Sequence, residues 1–240
     1  STTTPGTTTG TTTTGTTTTG TTTGTTTTST TTTSTSTTST PSTGTEALHT
    51  FMPSDENILY TGRWSFEDPD TPWCAWQACS FVVQFEGTGL QVILDAGTST
   101  EYFRVIVDDD HENSVKFPVS NRVETYDVAT DLPWGTHKVE MVKETYQGTN
   151  ATVHGFGVFG PGLVPPPERP ARKLMFYGDS NLAGASLSHE ENRGGAEYIG
   201  THFGLAGITS RMFGAEYHNV SASGETIHGL NTRFDRMDWW

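Results

Sequence analysis

The residues best suited to chemistry lie together in one short segment, Gly178-Asp179-Ser180-Asn181. A serine hydroxyl is a weak nucleophile, so it needs an exposed position, a general base and donors for the negative charge that develops on the attacked carbonyl. A strand that turns sharply into a helix supplies the position and the donors. Ser180 is therefore the candidate nucleophile, with Gly178 permitting the turn and Asn181 tolerating unusual backbone geometry. Taken alone, the tripeptide also fits a strand followed by an Asp or Ser helix cap.

The flanking segments predict the elements that this motif requires. Residues 173–177 read Lys-Leu-Met-Phe-Tyr, which is typical of a strand buried on both faces of a parallel sheet. The spacing of apolar residues predicts a helix over 198–213, and 216–220 predict a second, short strand. Strand, helix and strand in this order indicate a βαβ unit. Gly224 follows the second strand and would let backbone N–H groups approach a substrate closely.

The preceding part of the chain predicts an antiparallel β-sandwich or barrel. Short β-type runs recur with turn signals between them, at 81–85, 90–94, 102–107, 136–143 and 153–159. In the fourth run, period-2 alternation places His137, Val139 and Met141 on one face. The Pro-dense stretch 161–170 favours an extended, semi-rigid link, so we place the domain boundary there.

The first 46 residues are almost only Thr, Ser and Gly, and they have no apolar side chains with which to form a core. This composition predicts a disordered stalk or linker that carries O-linked glycans, and an unmodified spacer is the alternative.

The net charge of −14 argues against nucleic acid and anionic membranes as partners, and no apolar run is long enough to span a bilayer. The start does not have the pattern of a signal peptide, so we expect a processed or fragmentary N-terminus.

Two cysteines and two sequons are candidates for covalent modification. Cys74 and Cys79 could form a disulfide that closes a short loop, or they could be two buried thiols; no pair of ligands at zinc-site spacing follows, so no metal is expected. Asn150 and Asn219 each begin an Asn-x-Ser/Thr pattern for N-glycosylation. A glycan at Asn219 would obstruct the nearby motif. The aromatic segment from Trp64 to Trp76 suits sugar stacking, but packing in the sandwich is the favoured interpretation.

Beyond composition, the chain resembles carbohydrate esterase family 2, whose members join a jelly-roll to an SGNH (GDSL) hydrolase domain. The segment 176–181 is similar to the first SGNH block. The features shared with the family lie at 60–64, 85–88, 107–109, 135–139, 155–173 and 213–224, and the similarity extends over about 58–235. Composition, residue pattern and this resemblance together predict a disordered stalk over 1–46, a β-sandwich over 47–162, a connector over 163–172, and the first part of a three-layer α/β hydrolase domain over 173–240.

The resemblance also implies a chemistry. Ser180 would attack the acetyl ester of a polysaccharide of the xylan or mannan type, with no cofactor, and the N–H groups of Ser180 and Gly224 would stabilise the oxyanion. Asp179 would order the turn. The resemblance implies a secreted or wall-associated protein whose partner is an acetylated polysaccharide or oligosaccharide.

The family's later blocks, with an oxyanion Asn and the catalytic His, have no counterpart in this sequence. Asp108 to His111 match Asp-x-x-His as a string, but they precede the nucleophile at an expected turn of the sandwich. The histidines after Ser180 are interpreted as surface or helix-end residues: His189, His202, His218 and His228. We therefore expect the chain to be inactive alone. A non-catalytic carbohydrate-binding or wall-associated protein, and an SGNH lipase or thioesterase, are the alternatives.

Overall fold

The computed structural model describes residues 46–146, 150–191, 193–226 and 228–229. The stalk predicted over 1–46 lies almost wholly outside these residues. Fourteen strands and the helix α1 occur in the described part, residues 228–229 are also helical, and two short 3-10 turns lie at Ala196–Tyr198 and Thr201–Phe203. The elements are β1 (Leu48–Phe51), β2 (Ile58–Thr61), β3 (Trp64–Ser65), β4 (Trp73–Cys74), β5 (Ser80–Gly87), β6 (Gly89–Asp95), β7 (Glu101–Val107), β8 (Val115–Val119), β9 (Glu124–Ala129), β10 (Gly135–Lys143), β11 (Ala151–Phe159), β12 (Gly162–Leu163), β13 (Arg172–Gly178), α1 (Leu205–Phe213) and β14 (Ala215–Ser221).

Twelve of these strands form two antiparallel sheets of six. One sheet has the order β3-β4-β11-β6-β9, with β1 also beside β11; the other has the order β12-β5-β10-β7-β8, with β2 also beside β5. Alternate residues of each strand point inward, so the inner faces of both sheets bury one apolar core. In that core Phe81 of one sheet meets Phe156 of the other edge to face, with ring centroids 5.3 Å apart. The predicted sandwich is confirmed.

Each of the five β-runs read from the sequence lies within a strand, and the alternation in β10 is also confirmed. Val139 and Met141 are fully buried and His137 is 9% exposed on the same face. The sequence did not predict the short strands β1 to β4, nor β8 and β9. These strands are short or largely exposed, so they lack the apolar alternation that distinguishes a strand from a loop.

The second part of the chain forms a β-α-β unit in which β13 and β14 are parallel, with Gly178 opposite Ser221. The prediction that β13 is buried on both faces is wrong. Lys173 is exposed and Met175 is 43% exposed. Because these two residues are two positions apart, they lie on the same face of β13, and that face is not covered by other described residues.

The predicted helix over 198–213 is also too long, because α1 begins only at Leu205. Gly200 and Gly204 take extended or irregular conformations before it, and the two 3-10 turns occupy the remaining length. Glycine disfavours a helix interior, and here it interrupts the pattern. The apolar spacing behind that prediction included Met212 and Ala206, but Met212 is 80% exposed whereas Ala206 is buried. Within the described residues, no helix is both long and apolar enough to cross a membrane.

The sandwich and the β-α-β unit belong to one compact unit, residues 44–240. The connector runs along this junction, where the two Nη atoms of Arg169 donate to Tyr60 O of β2 at 2.8 Å and to Glu216 Oε1 of β14 at 2.9 Å. The sandwich also extends slightly past the predicted boundary at 162, since β12 ends at Leu163 and Val164 N donates to Gln84 O.

Candidate active site

Ser180 lies two residues beyond the carboxyl end of β13, at the edge where β14 also ends. The two strand ends are joined there, because Ala222 N donates to Gly178 O at 3.0 Å. Ser180 is partly exposed, and among the described residues neither its hydroxyl nor its N–H forms a hydrogen bond. Ligand sites of open α/β sheets lie at this carboxyl edge. The side chain is therefore placed where a nucleophile can meet a substrate.

The segment that follows Ser180 differs from the expected helix. It is a series of turns, in which Ala183 N donates to Asp179 O at 3.1 Å and Ala185 N donates to Ser180 O at 2.9 Å. Gly184 (φ +89°) packs its backbone against Gly200 and Thr201, and this close approach bends the chain away from a helical path. The local turn geometry, and not a helix N-terminus, leaves the Ser180 N–H unpaired.

Asp179 forms hydrogen bonds within this turn. Its Oδ1 accepts a hydrogen bond from Asn181 N at 2.9 Å, and its Oδ2 accepts one from Asn181 Nδ2 at 3.2 Å. An aspartate that bonds the backbone two residues on is a common turn-forming arrangement. The carboxylate is engaged within its own loop.

Gly224 lies on the second loop of the same edge. Its φ is +74°, and no atom lies within 4 Å of the position that a Cβ would take. Glu225 N donates to Ala222 O at 3.2 Å, which forms a turn around Gly224, while no hydrogen bond from Gly224 N is formed among the described residues. The loop thus presents a backbone N–H that has no partner among the described residues.

A network that sequence reasoning missed connects these two loops to the sandwich. Gln77, which precedes β5 and is 1% exposed, donates from Nε2 to Ser221 O at 2.8 Å and to Ser221 Oγ at 2.7 Å. Ser221 Oγ donates to Asn219 Oδ1, and Asn219 Nδ2 donates to Leu182 O in the Ser180 loop at 3.0 Å. A buried glutamine between two cysteines carries no motif, so nothing in the sequence distinguished it.

A second buried network anchors the Ser180 loop from the other side. Glu144, which follows β10 and has no exposed surface, accepts from Arg104 Nε at 2.5 Å and from His202 N at 2.8 Å. Thr201 Oγ1 lies 2.8 Å from Glu144 O and 2.5 Å from Ala183 O. Buried charges persist when they are paired and hydrogen-bonded in this way.

Comparison with known proteins agrees with this architecture. Residues 60–167 match the family model described as carbohydrate esterase 2 N-terminal. The chain belongs to carbohydrate esterase family 2. The resemblance seen in the sequence is therefore confirmed at the level of the family.

Three relatives of this family-2 chain define the extent of the match. The chain is 30% identical over 178 residues to the cellulase/esterase CelE of Acetivibrio thermocellus, covering 72% of this chain and 21% of that protein. It is 25% identical over 144 residues to an acetylxylan esterase / glucomannan deacetylase of Cellvibrio japonicus, covering 59% and 39%. A solved family two carbohydrate esterase from Clostridium thermocellum, in complex with cellohexaose, superimposes with a TM-score of 0.64 at 30% identity, covering 70% of this chain and 51% of that one. The chain thus spans well under half the length of the curated relatives.

Among the described residues of the family-2 chain, no histidine forms a hydrogen bond with Ser180. Of the two interpretations, surface or helix end, His202 fits the second: it lies in the 3-10 turn Thr201–Phe203 and is 3% exposed, and its Nε2 lies 3.2 Å from His111 Nδ1. Burial, followed by the charge of Arg211, lowers the pKa of His202 to about 3. His189 is exposed and lies edge to face against Tyr198. His218 lies on β14, where burial lowers its pKa.

The Asp108–His137 pair of the sandwich is also engaged in other contacts. His137 Nδ1 lies 2.8 Å from Asp108 Oδ2, and His137 Nε2 lies 2.7 Å from Pro133 O, so both ring nitrogens have partners. His111 follows β7 in a turn of the sandwich, where it was expected. Among the described residues, no cluster of three or more His, Cys, Asp or Glu side chains is arranged to hold a metal ion.

The modification candidates divide into buried and exposed residues. Cys74 and Cys79 are fully buried free thiols, so the disulfide alternative is not formed in this structure. The Cys79 thiol donates to Arg63 O at 3.5 Å, and burial raises the pKa of Cys74. Asn219 is 2% exposed with its amide bonded to Leu182 O, and a glycan there is incompatible with this packing. Asn150 is exposed, and its glycosylation stays a prediction.

The aromatic segment contributes mainly to the core. Trp64 is 2% exposed and Trp76 is 8% exposed, and Trp64 Nε1 donates to Thr61 O at 3.0 Å. Packing, the favoured interpretation, accounts for both rings. Phe66 is the exposed member of the group, at 49%.

Proposed function

We propose that this chain carries the nucleophile and two oxyanion donors of a serine esterase that removes O-acetyl groups from polysaccharides of the xylan or mannan type. The observation that carries the proposal is the position of Ser180 at the shared carboxyl edge of β13 and β14, with its hydroxyl and N–H both unpaired among the described residues. The names of the relatives, an acetylxylan esterase / glucomannan deacetylase and a cellulase/esterase, support the substrate class.

In the proposed mechanism Ser180 Oγ attacks the acetyl carbonyl carbon, and the carbonyl oxygen becomes an oxyanion. The N–H groups of Ser180 and Gly224 would donate to that oxygen; losing one such donor typically costs about 2.7–4 kcal/mol of transition-state stabilisation. Collapse expels the sugar hydroxyl and leaves an acetyl-serine, which water then hydrolyses to acetate and free Ser180. Asp179 acts by holding the turn. No cofactor enters these steps.

A general base must take the proton of Ser180, and the described residues provide none. His202 is buried and has a lowered pKa, and no hydrogen bond connects the serine to His189 or His218. We therefore propose that the 240-residue chain does not hydrolyse acetyl esters by itself.

The proposal also includes secretion of the protein, an O-glycosylated linker over 1–46, and an SGNH-type fold for the segment that begins at 173.

The test uses a chromogenic acetate ester, the 240-residue chain, and a longer protein in which this chain is fused to the histidine-containing C-terminal segment of a family-2 esterase. We expect the longer protein to turn over, and Ser180→Ala to lower kcat/KM by roughly 10³-fold or more. The 240-residue chain is expected to show no turnover. Activity that survives Ser180→Ala would contradict the assignment of the nucleophile.

The acyl-chain alternative is tested with the same protein. Chromogenic butyrate and octanoate esters replace the acetate, and acetylated xylan is the natural-type substrate. We expect kcat/KM to fall as the acyl chain lengthens. Preference for octanoate would instead support the lipase or thioesterase alternative.

A further inference from the structure

A groove of about 580 Å³ lies at the open edge of the sandwich. Its walls come from both sheets, because β8 ends one sheet and β9 ends the other. The volume falls within the range of roughly 300–1,000 Å³ that small-ligand sites occupy. Neither Ser180 nor Gly224 lines the groove.

Two aromatic rings form the apolar part of the wall. Phe117 and Tyr126 are half-buried, with ring centroids 5.5 Å apart and planes tilted by 43°. Tyr126 is held in place because its hydroxyl accepts a hydrogen bond from Ser120 N at 2.9 Å. Val115 extends the apolar surface and is 62% exposed. Rings that are fixed before binding lose little freedom when a ligand arrives.

The rim of the groove is acidic. Asp108, Asp110 and Asp127 line it, and no Lys, Arg or His is among its lining residues in the described part of the chain. Ionised carboxylates only accept hydrogen bonds, so this rim favours ligands with many O–H donors and repels anions. Asp108 is held in place by Lys138 N at 2.9 Å and by His137.

A neutral sugar ring fits both parts of this surface, since it has an apolar C–H face and a periphery of hydroxyl donors. We propose that the groove, defined by Val115, Phe117, Tyr126, Asp108, Asp110 and Asp127, binds a segment of uncharged polysaccharide. This site is separate from the Ser180 edge and does not depend on esterase activity. In a polysaccharide esterase it raises the local concentration of the substrate chain near the reacting centre.

The binding test is an NMR titration of the ¹⁵N-labelled 240-residue chain with xylohexaose, with cellohexaose, and with an oligogalacturonate as the anionic control. We expect saturable shifts of the backbone amides of residues 115–117 and 126–128 with the neutral sugars and none with the anion. Ser180→Ala should bind as the parent does, so a failure of the catalytic proposal leaves this result unchanged.

The variants separate ring stacking from stability. Tyr126→Leu should weaken binding about tenfold while Tyr126→Phe stays within about twofold, because only the first removes the ring. Val115→Glu changes an exposed wall residue, so it should weaken binding without disturbing the core. Phe66→Leu alters an exposed aromatic outside the groove and is the matched control, with unchanged affinity expected.

The proposal would be overturned by the absence of a saturable shift up to about 10 mM sugar, or by shifts confined to the loops at 178–186 and 221–226. Equal binding of the oligogalacturonate would also overturn it. So would a loss of affinity in Phe66→Leu equal to that in Tyr126→Leu. Binding of an apolar dye to the groove in the absence of any sugar binding would also overturn it, and would assign the surface to an apolar partner.

Discussion

Single side chains from the sandwich determine how the two loops of the candidate site are held. Gln77 bonds the end of β14, and Thr201 and His202 bond Glu144 beside the Ser180 loop. Each of these bonds lies in a buried region, where a polar group left without its partner costs free energy. Side chains far from position 180 in the sequence therefore control the geometry around it.

Replacing Gln77 tests the first network. Gln77→Ala removes the donor to Ser221 O and Ser221 Oγ, and we expect the free energy of unfolding to fall by about 1–3 kcal/mol. Urea unfolding followed by tryptophan fluorescence measures the change. Gln91→Ala is the matched control: its amide bonds the exposed Asp127, so a change within about 0.5 kcal/mol is expected. Equal losses in the two variants would contradict a special role for Gln77.

The buried His202 gives the fold a dependence on pH. Its pKa is lowered from 6.5 to about 3, mainly by burial, so the unfolded chain binds a proton at pH values where the folded chain does not. Stability therefore falls as the pH drops from about 7 towards 3, by about 2 kcal/mol between pH 8 and pH 5 from this group.

The measurement compares the parent with His202→Gln in urea at a series of pH values. Between pH 8 and pH 5, the free energy of unfolding of His202→Gln should fall by about 2 kcal/mol less than that of the parent. His189→Gln, which changes an exposed histidine, should give the same pH profile as the parent. A His202→Gln profile parallel to the parent's would show that the buried ring does not titrate as described.

At the scale of elements, the Ser180 loop is shaped by the close approach of its backbone to another turn. Gly184 brings the turn after β13 against the 3-10 turn that precedes α1, and a Cβ there would lie 2.8 Å from Gly200 C and Thr201 N. Its φ of +89° adds a conformational cost for any other residue. The turn after β13 and the 3-10 turn before α1 are thereby held against each other.

Gly184→Ala is expected to destabilise the protein by about 2 kcal/mol or more, because both the contact and the backbone conformation exclude a methyl group. Gly194→Ala provides the control, since nothing lies within 4 Å of a Cβ at that position. Thermal unfolding by circular dichroism reports both. A similar melting temperature for the two variants would contradict the packing of the loop.

At the scale of the molecule, the sandwich and the β-α-β unit share buried polar contacts and belong to one compact unit. We expect them to unfold together, because separation would leave Gln77, Glu144 and Thr201 without their partners. Hydrogen exchange in a urea series should show peptides from β10 and β14 losing protection at the same urea concentration. Earlier loss in β14, with β10 still protected, would show that the two parts unfold independently.

The sequence by itself determined the β-rich first part, the βαβ order of the second, and the nucleophile motif. These features are local: period-2 alternation in β10, a strand followed at once by Gly178-Asp179-Ser180, and turn residues between the runs. The resemblance to carbohydrate esterase family 2 also depends on motifs that are contiguous in the chain.

Only the tertiary structure decided which distant side chains hold the site. Gln77 and Ser221 are 144 positions apart, and the burial of Asn219, which excludes a glycan, depends on how the Ser180 loop packs over β14. The shortening of the helix to 205–213 and the turns after Ser180 also follow from packing against Gly200 and Thr201. Contacts of this kind depend on distances between segments that are remote in sequence, which no local pattern of residues encodes.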